Sequence, residues 1–411
     1  MSNRPYGVLG KTLQHSYTPE IYKQLANIDY RKFEKEESEL EAFLLSEEWE
    51  GINVTIPYKK TVMPYLDSYG DEVEKLGNVN TIIRDNHGQL VGHNTDYFGF
   101  KTLVESLGID LQGKKALVFG GNGGAGSTCI CVLQDLGMEV YSVNLTGEIT
   151  YENILDLHAD AQLIVNATPV GMYPNCPTAI TSLKPFKQLE GLVDIVYNPA
   201  RTALMMEAEQ LGIKCAGGLL MLVAQAAKAV KYYKGFMPSM DEILNITQQL
   251  SNRVQNIALI GMPGSGKSTI GKELARITNR EFIDLDCCIE QKIGQSCSSY
   301  LSQHGEEAFR TIETNVLKEV SSRSELVIAC GGGIVTQPEN YEYLHQNSRI
   351  VYVKRPLNKL TTNGRPLSQS CGVEALYAQR KDLYESWADI TLPVSNYSTN
   401  TALSIQAEFN L

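Results

Sequence analysis

Gly120-Gly121-Asn122-Gly123-Gly124-Ala125-Gly126 and Gly261-Met262-Pro263-Gly264-Ser265-Gly266-Lys267-Ser268 are two glycine loops of different kinds on one chain of 411 residues. Each follows an apolar run, Ala116-Leu117-Val118-Phe119 and Ile257-Ala258-Leu259-Ile260, and each opens a helical pattern. A strand, a glycine turn and a helix in that order present backbone N–H groups and a helix N-terminus to phosphate oxygens. The first loop has the form of a dinucleotide-binding turn, which makes Gly120, Gly121, Asn122, Gly123, Gly124 and Ala125 candidate cofactor contacts. The second is a complete P-loop, GxxxxGK[ST]: Gly264, Ser265, Gly266, Lys267, Ser268 and Thr269 would cradle a nucleoside triphosphate, with the Ser268 hydroxyl on Mg²⁺. A glycine-rich turn that binds nothing is a poor account of an intact Gly-Lys-Ser. Both loops on one chain read as two nucleotide-using enzymes in series.

Composition narrows the class. Apolar residues make up 43% of the chain, an ordinary globular value, and the length suits two or three domains. No run of eighteen apolar residues predicts a membrane span, and the N-terminus enters a strand pattern without a signal-peptide core, so a cytoplasmic location is expected. A formal net charge of −11 argues against general nucleic-acid binding. The nine cysteines have no paired CxxC spacing and read as reduced thiols. Oligomeric state is left open.

The expected fold class is α/β throughout. Residues 1–98, rejoined by returning helices within 219–250, form a substrate domain. Residues 99–218 form a Rossmann-type dinucleotide domain, and 255–411 a P-loop domain like the small nucleotide kinases. Strands are expected at Gly7–Leu9, Gly51–Ile56, Glu139–Val143, Leu163–Asn166 and Leu192–Val196, helices at Leu219–Tyr233 and Met240–Leu250, and a parallel sheet after Lys114. The polar stretch Ser251–Asn256 is the expected linker.

Polar clusters punctuate the first part: His15-Ser16-Tyr17-Thr18-Pro19, Asn53-Val54-Thr55-Ile56-Pro57-Tyr58-Lys59, Asn78-Val79-Asn80-Thr81 and Gly92-His93-Asn94-Thr95-Asp96. Singly, each is an ordinary turn or a solvated charge. Together they supply hydroxyls, amides, one ammonium and one carboxylate, the set that a small polyhydroxylated substrate and a proton shuttle require. In this order, with the glycine loop, Asn166-Ala167-Thr168-Pro169-Val170-Gly171-Met172 and Gly217-Gly218-Leu219, the chain resembles shikimate dehydrogenase over residues 4 to 245. The resemblance implies Lys59 and Asp96 as the catalytic pair. It implies Ser16, Thr18, Thr55, Asn80, Asp96 and Gln225 as substrate contacts, with Tyr197 lining the substrate side and Gly218 the cofactor side. It also implies NADP. Members that use NADP typically carry Asn-Arg-Thr after the second strand, where this chain has Asn144-Leu145-Thr146-Gly147-Glu148, so NAD stays open as the alternative.

Downstream of the P-loop come Phe282-Ile283-Asp284-Leu285-Asp286, Glu306 to Glu313, Cys330-Gly331-Gly332-Gly333, Gly364-Arg365-Pro366-Leu367 and Arg380 to Tyr384. The first reads as two carboxylates on one side of a strand end. The ordered set resembles shikimate kinase over residues 255 to 395. That resemblance implies Asp284 with Ser268 for Mg²⁺, Asp286 beside the attacking hydroxyl, and Arg310, Gly332 and Arg380 around the substrate, Glu313 orienting Arg310. It also implies Lys267 and Arg365 at the transferring phosphoryl group, and Thr361 where the family often has an arginine.

The two resemblances belong to successive reactions. The reading is a bifunctional enzyme that reduces 3-dehydroshikimate to shikimate and then phosphorylates shikimate with ATP. Its rivals are a chain with one half kept as a scaffold, and a quinate-type dehydrogenase fused to another small-molecule kinase.

Overall fold

The computed structural model describes residues 4–13, 16–361, 372–395 and 397–411. Its strands build three sheets. The first holds β1 (Tyr6–Gly10), β2 (Tyr30–Glu34), β3 (Gly51–Val54), β4 (Ser68–Tyr69), β5 (Thr81–Arg84) and β6 (Leu90–His93), in the order β2-β1-β3-β5-β6-β4. The β1 pairings are parallel, whereas β3–β5 and β5–β6 are antiparallel, so this sheet is mixed. The expected strand to Ile56 stops at Val54. Thr55 still bonds Leu9 O through its N–H, after which the chain turns away toward Lys59.

The second sheet holds β7 (Lys115–Phe119), β8 (Glu139–Val143), β9 (Leu163–Asn166), β10 (Gly191–Asp194) and β11 (Lys214–Gly217), all parallel, in the order β11-β10-β9-β7-β8. Chain direction across the sheet reverses between β7 and β9, and the crevice beyond their C-terminal ends is where such sheets take a ligand. The glycine turn leaves β7, and Asn166-Ala167-Thr168 leaves β9. Strands β9 and β10 are buried along their whole length, as parallel strands covered on both faces must be.

The third sheet holds β12 (Asn256–Ile260), β13 (Glu281–Asp284), β14 (Leu326–Ala329), β15 (Ser348–Lys354) and β16 (Ile390–Pro393), all parallel, in the order β13-β14-β12-β15-β16. The P-loop leaves the central strand β12, every residue of which is buried.

The helix Leu219–Lys234 returns to pack on the helices Asp96–Glu105 and Thr18–Ala26. Close approach is possible because Gly99 lacks a side chain; a Cβ there would stand 2.7 Å from Met221 O. The expected linker is corrected. The helix Met240–Val254 continues through most of Ser251–Asn256, and β12 starts at Asn256 itself. By contact the chain divides into two compact units, Met1–Val170 with Ala179–Tyr197 and Glu207–Gln249, and Gly171–Thr178 with Asn198–Met206 and Leu250–Leu411. Among the described residues no helix is long and apolar enough to cross a membrane.

Candidate active sites

A cleft of about 390 Å³ opens in the first unit, lined by Ser16, Thr18, Thr55, Lys59, Asn80, Asp96, Tyr197 and Gln225. Eight polar residues dispersed over 200 positions of sequence thus share one cavity wall. His15 of the first cluster lies outside the described residues. Lys59 Nζ stands 2.5 Å from Asp96 Oδ2, the carboxylate nearly buried and the ammonium partly open to the cleft. Asp96 is the first residue of its helix, where the partial positive charge of unpaired N–H groups favours a carboxylate.

That pair is positioned by a buried amide brace. Asn94 Oδ1 accepts from Asp96 N at 3.0 Å, and its Nδ2 donates to Asn78 Oδ1 at 2.9 Å. Asn80 Oδ1 accepts from Thr95 N at 2.7 Å and from Thr81 Oγ1 at 3.0 Å, which leaves its amide nitrogen for a ligand. Asn78, Asn94 and Thr95 are therefore scaffolding, although they read in the sequence like substrate groups. Ser16 Oγ and Thr18 Oγ1 meet at 2.7 Å, and the Tyr197 hydroxyl bonds the Ser16 side chain. Gly218 is absent from the cleft wall. It caps the helix Leu219–Lys234, and a Cβ there would stand 2.0 Å from Ile195 O, which is why it must be glycine.

The wall also includes Tyr22, Tyr30 and Lys32, which the sequence motifs missed, and Asn53, which stood in a motif without an assigned role. Asn53 Oδ1 accepts both tyrosine hydroxyls, at 2.6 and 2.7 Å, while the two rings stack 4.3 Å apart. Lys32 sits on the edge strand β2, whose mostly exposed pattern resembles any solvated surface.

The dinucleotide turn fits its ligand. A Cβ on Gly121 would lie 2.2 Å from Ser142 Oγ, and one on Gly126 the same distance from Gly120 O, so only glycines leave the turn open at the start of the helix Gly124–Asp135. Beside it Asn144 Nδ2 donates to Ser142 Oγ at 2.9 Å, and Asn144 Oδ1 accepts from Asn122 N at 3.3 Å. Leu145 projects into solvent, 83% exposed.

The second unit has a cleft of about 420 Å³, lined by Gly264, Gly266, Lys267, Ser268, Thr269, Asp284, Asp286, Arg310, Gly332 and Arg380. Ser265 lies beneath the loop, fully buried, its Oγ without a partner among the described residues. Lys267 Nζ bonds Gly261 O at 2.9 Å and Met262 O at 3.0 Å, folded over the cradle it serves. Ser268 Oγ donates to Asp284 Oδ2 at 2.6 Å, which sets a hydroxyl and a carboxylate side by side, the one or two protein oxygens that phosphate-borne Mg²⁺ takes.

The two carboxylates are not on one strand face. Asp284 ends β13 and caps the helix Leu285–Ile293 through Asp286 N, at 3.1 Å, while Asp286 stands in the first turn of that helix. Burial, with the Asp284 charge added, pushes the Asp286 carboxyl above its usual range. Arg310 and Glu313 form a buried pair at 2.6 Å, and Glu306 holds the other side of the guanidinium at 2.8 Å. Burial raises the Glu313 carboxyl, and Arg310 opposes it. Arg380 Nη1 donates to Gly332 O at 3.1 Å, while its buried Nε has no partner among the described residues. Two of the three glycines make room for these side chains: a Cβ on Gly331 would stand 2.5 Å from Glu313 Oε1, and one on Gly333 2.1 Å from Arg310 Nη2. Arg365 lies outside the described residues. Cys297, Phe309 and Arg355 also line the cleft and had no role assigned from the sequence.

Fold and site thus define a dinucleotide-dependent dehydrogenase followed by a P-loop kinase. Residues 8–82 match the family model for the shikimate dehydrogenase substrate binding domain, and residues 263–408 the model for shikimate kinase. The chain is 36% identical over 250 residues to shikimate dehydrogenase (NADP(+)) of Clostridium beijerinckii, covering 56% of this chain and 91% of that protein. It is similar to the crystal structure of a chorismate mutase/shikimate 5-dehydrogenase fusion protein from Clostridium acetobutylicum, with TM-score 0.57 and 28% identity over 61% of this chain and 98% of that one. It is also similar to shikimate 5-dehydrogenase from Listeria monocytogenes in complex with shikimate and NAD, with TM-score 0.52 and 26% identity over 60% and 97%. The chain belongs to the shikimate dehydrogenase family, and its C-terminal part carries a shikimate kinase domain.

Proposed function

We infer that the chain catalyses two consecutive reactions, reduction of 3-dehydroshikimate to shikimate with NADP and phosphorylation of shikimate by ATP with Mg²⁺. The observation that carries the first is the Lys59–Asp96 pair at 2.5 Å in a cleft lined with hydroxyls and amides. The nicotinamide cofactor, when bound, supplies the hydride. Lys59 donates a proton to the oxygen of the reduced carbonyl and recovers one in reverse, while Asp96 holds the ammonium and accepts from a ring hydroxyl. Ser16, Thr18, Thr55, Asn80, Tyr197 and Gln225 bind the carboxylate and remaining hydroxyls.

In the second unit Arg310 and Arg380 present planar forks to the same carboxylate. Asp286 accepts from the attacking hydroxyl. Its raised affinity for a proton suits that role near neutral pH better than an ordinary solvated carboxylate would. Lys267 neutralises charge on the phosphate chain, and Ser268 with Asp284 holds the cation. Arg365 is assigned here to the phosphoryl group from the sequence. The division into residues 1–98 with 219–250, 99–218 and 255–411 is our reading, supported by one sheet in each.

The test is one assay in two stages. NADPH absorbance should fall when 3-dehydroshikimate is added, and adding ATP and Mg²⁺ should then yield shikimate 3-phosphate. A chain that oxidises NADPH and forms no phosphorylated product has lost the kinase half of the assignment, and one that phosphorylates shikimate without touching NADPH has lost the other.

A further inference from the structure

We propose that Arg355 is a phosphate-binding residue of the kinase unit, contacting the nucleotide's phosphate chain at the P-loop. Arg355 is the first residue after β15. Its neighbour Lys354 pairs with Glu385 at 3.2 Å. Arg355 is half-buried, lines the same cleft as Lys267, Ser268 and Asp284, and has no carboxylate partner among the described residues. The segment that follows lies directly on the P-loop. A Cβ on Gly266 would stand 3.6 Å from Arg355 Nη1, and one on Gly264 would stand 2.8 Å from Thr361 O.

Those two glycines have φ of +99° and +81°, the left-handed conformation that turns successive N–H groups toward an anion. A guanidinium beside them, partly desolvated and with no carboxylate partner among the described residues, is an incomplete electrostatic arrangement. A nucleoside triphosphate completes it, because it carries more negative charge than Lys267 and one Mg²⁺ neutralise, and the charge shifts between phosphoryl oxygens during transfer. The planar fork can also accept two oxygens at once, which a lysine cannot do. Thr361, the other contact on the loop, brings no charge.

This inference rests on the phosphoryl-transfer reading, and the experiment separates the two. Wild-type turnover of shikimate with ATP tests that reading; binding of ADP compared with adenosine tests Arg355 whatever the acceptor. In the full-length chain, R355Q should weaken Mg²⁺-ADP binding by about 30-fold or more, the equivalent of ~2 kcal/mol. Adenosine binding and the dehydrogenase rate should be unchanged, and kinase kcat should fall with KM for shikimate unmoved. R355K should recover only part of the loss. Wild-type ADP affinity and kcat in R355Q would overturn the proposal. So would equal losses for ADP and adenosine, which would place the guanidinium on the base. Should R355Q fail to fold, R355K carries the test, and ADP binding at the wild-type level in R355K would exclude the two-oxygen contact.

Discussion

At the residue scale, the two sites use charge pairs in opposite ways. Lys59–Asp96 is half-open to its cleft, so the ammonium is held and still reachable. Arg310–Glu313 is buried, so the guanidinium is fixed in direction and shielded from water. Lys59→Ala should therefore lower dehydrogenase kcat by about 10²–10⁴ with the fold intact, as loss of a general acid does. Initial rates with 3-dehydroshikimate check it, and near-normal turnover would remove Lys59 from the chemistry. Kinase turnover in the same protein should be unchanged. Arg380→Ala should weaken shikimate binding by about 2–5 kcal/mol and leave ADP binding nearly unchanged, because Arg380 bonds the glycine run through Gly332 O rather than the P-loop. Titrations with shikimate and ADP separate the two; lost ADP affinity with shikimate affinity retained would misplace the clamp.

At the element scale, the segment between β8 and the helix Ile154–His158 decides how the dehydrogenase reads its cofactor. Residues 144–153 contain no Lys or Arg and two Glu, and the first helical turn after the glycine loop adds no cation. A 2′-phosphate needs a nearby positive charge to be preferred, and an acid accepting from the 2′-hydroxyl would favour NAD. Asn144 is tied into the glycine turn through Asn122 and Ser142, so its amide shapes the turn. The expected outcome is weak discrimination. The ratio of kcat/KM for NADPH over NADH should stay below about a thousandfold, equivalent to ~4 kcal/mol. A larger ratio would require a cation supplied from outside this segment.

At the scale of the whole molecule, wholly or partly buried histidines tie both units to pH. His93, stacked on Tyr232, has a buried Nδ1 without a partner among the described residues. Burial holds it below the ordinary value of 6.5, with Lys228 adding to the shift. His345 in the other unit is also lowered, burial again first. An unfolded chain binds these protons more readily than the folded one. Their contribution to stability is thus complete above about pH 6.5 and is lost as the pH falls toward the folded-state values. Thermal unfolding from pH 8 to 5 should show a falling Tm, and His93→Phe, which keeps the ring on Tyr232, should flatten part of that slope, His158 of the same unit being lowered by burial as well. An unchanged acid slope in that variant would assign it to other groups.

The candidate site residues were legible in the sequence because both glycine loops demand special backbone at fixed spacing, and because Lys59, Asp96, Arg310 and Arg380 stand in compact motifs. Local pattern also sufficed for the parallel strands, whose continuous apolar runs reflect burial on both faces. Tertiary structure alone decided which members of a motif line the cleft and which are spent on internal hydrogen bonds. Asn94 and Thr95 read no differently from Asn80 until the fold spends the Asn94 amide on Asp96 N and Asn78, and the Thr95 N–H on Asn80. It likewise moved Asp286 from a strand face to a helix turn and brought Arg355 to the P-loop. The reason is physical: spacing along the chain encodes local backbone geometry, whereas the partner of a polar group depends on contacts between segments far apart in sequence.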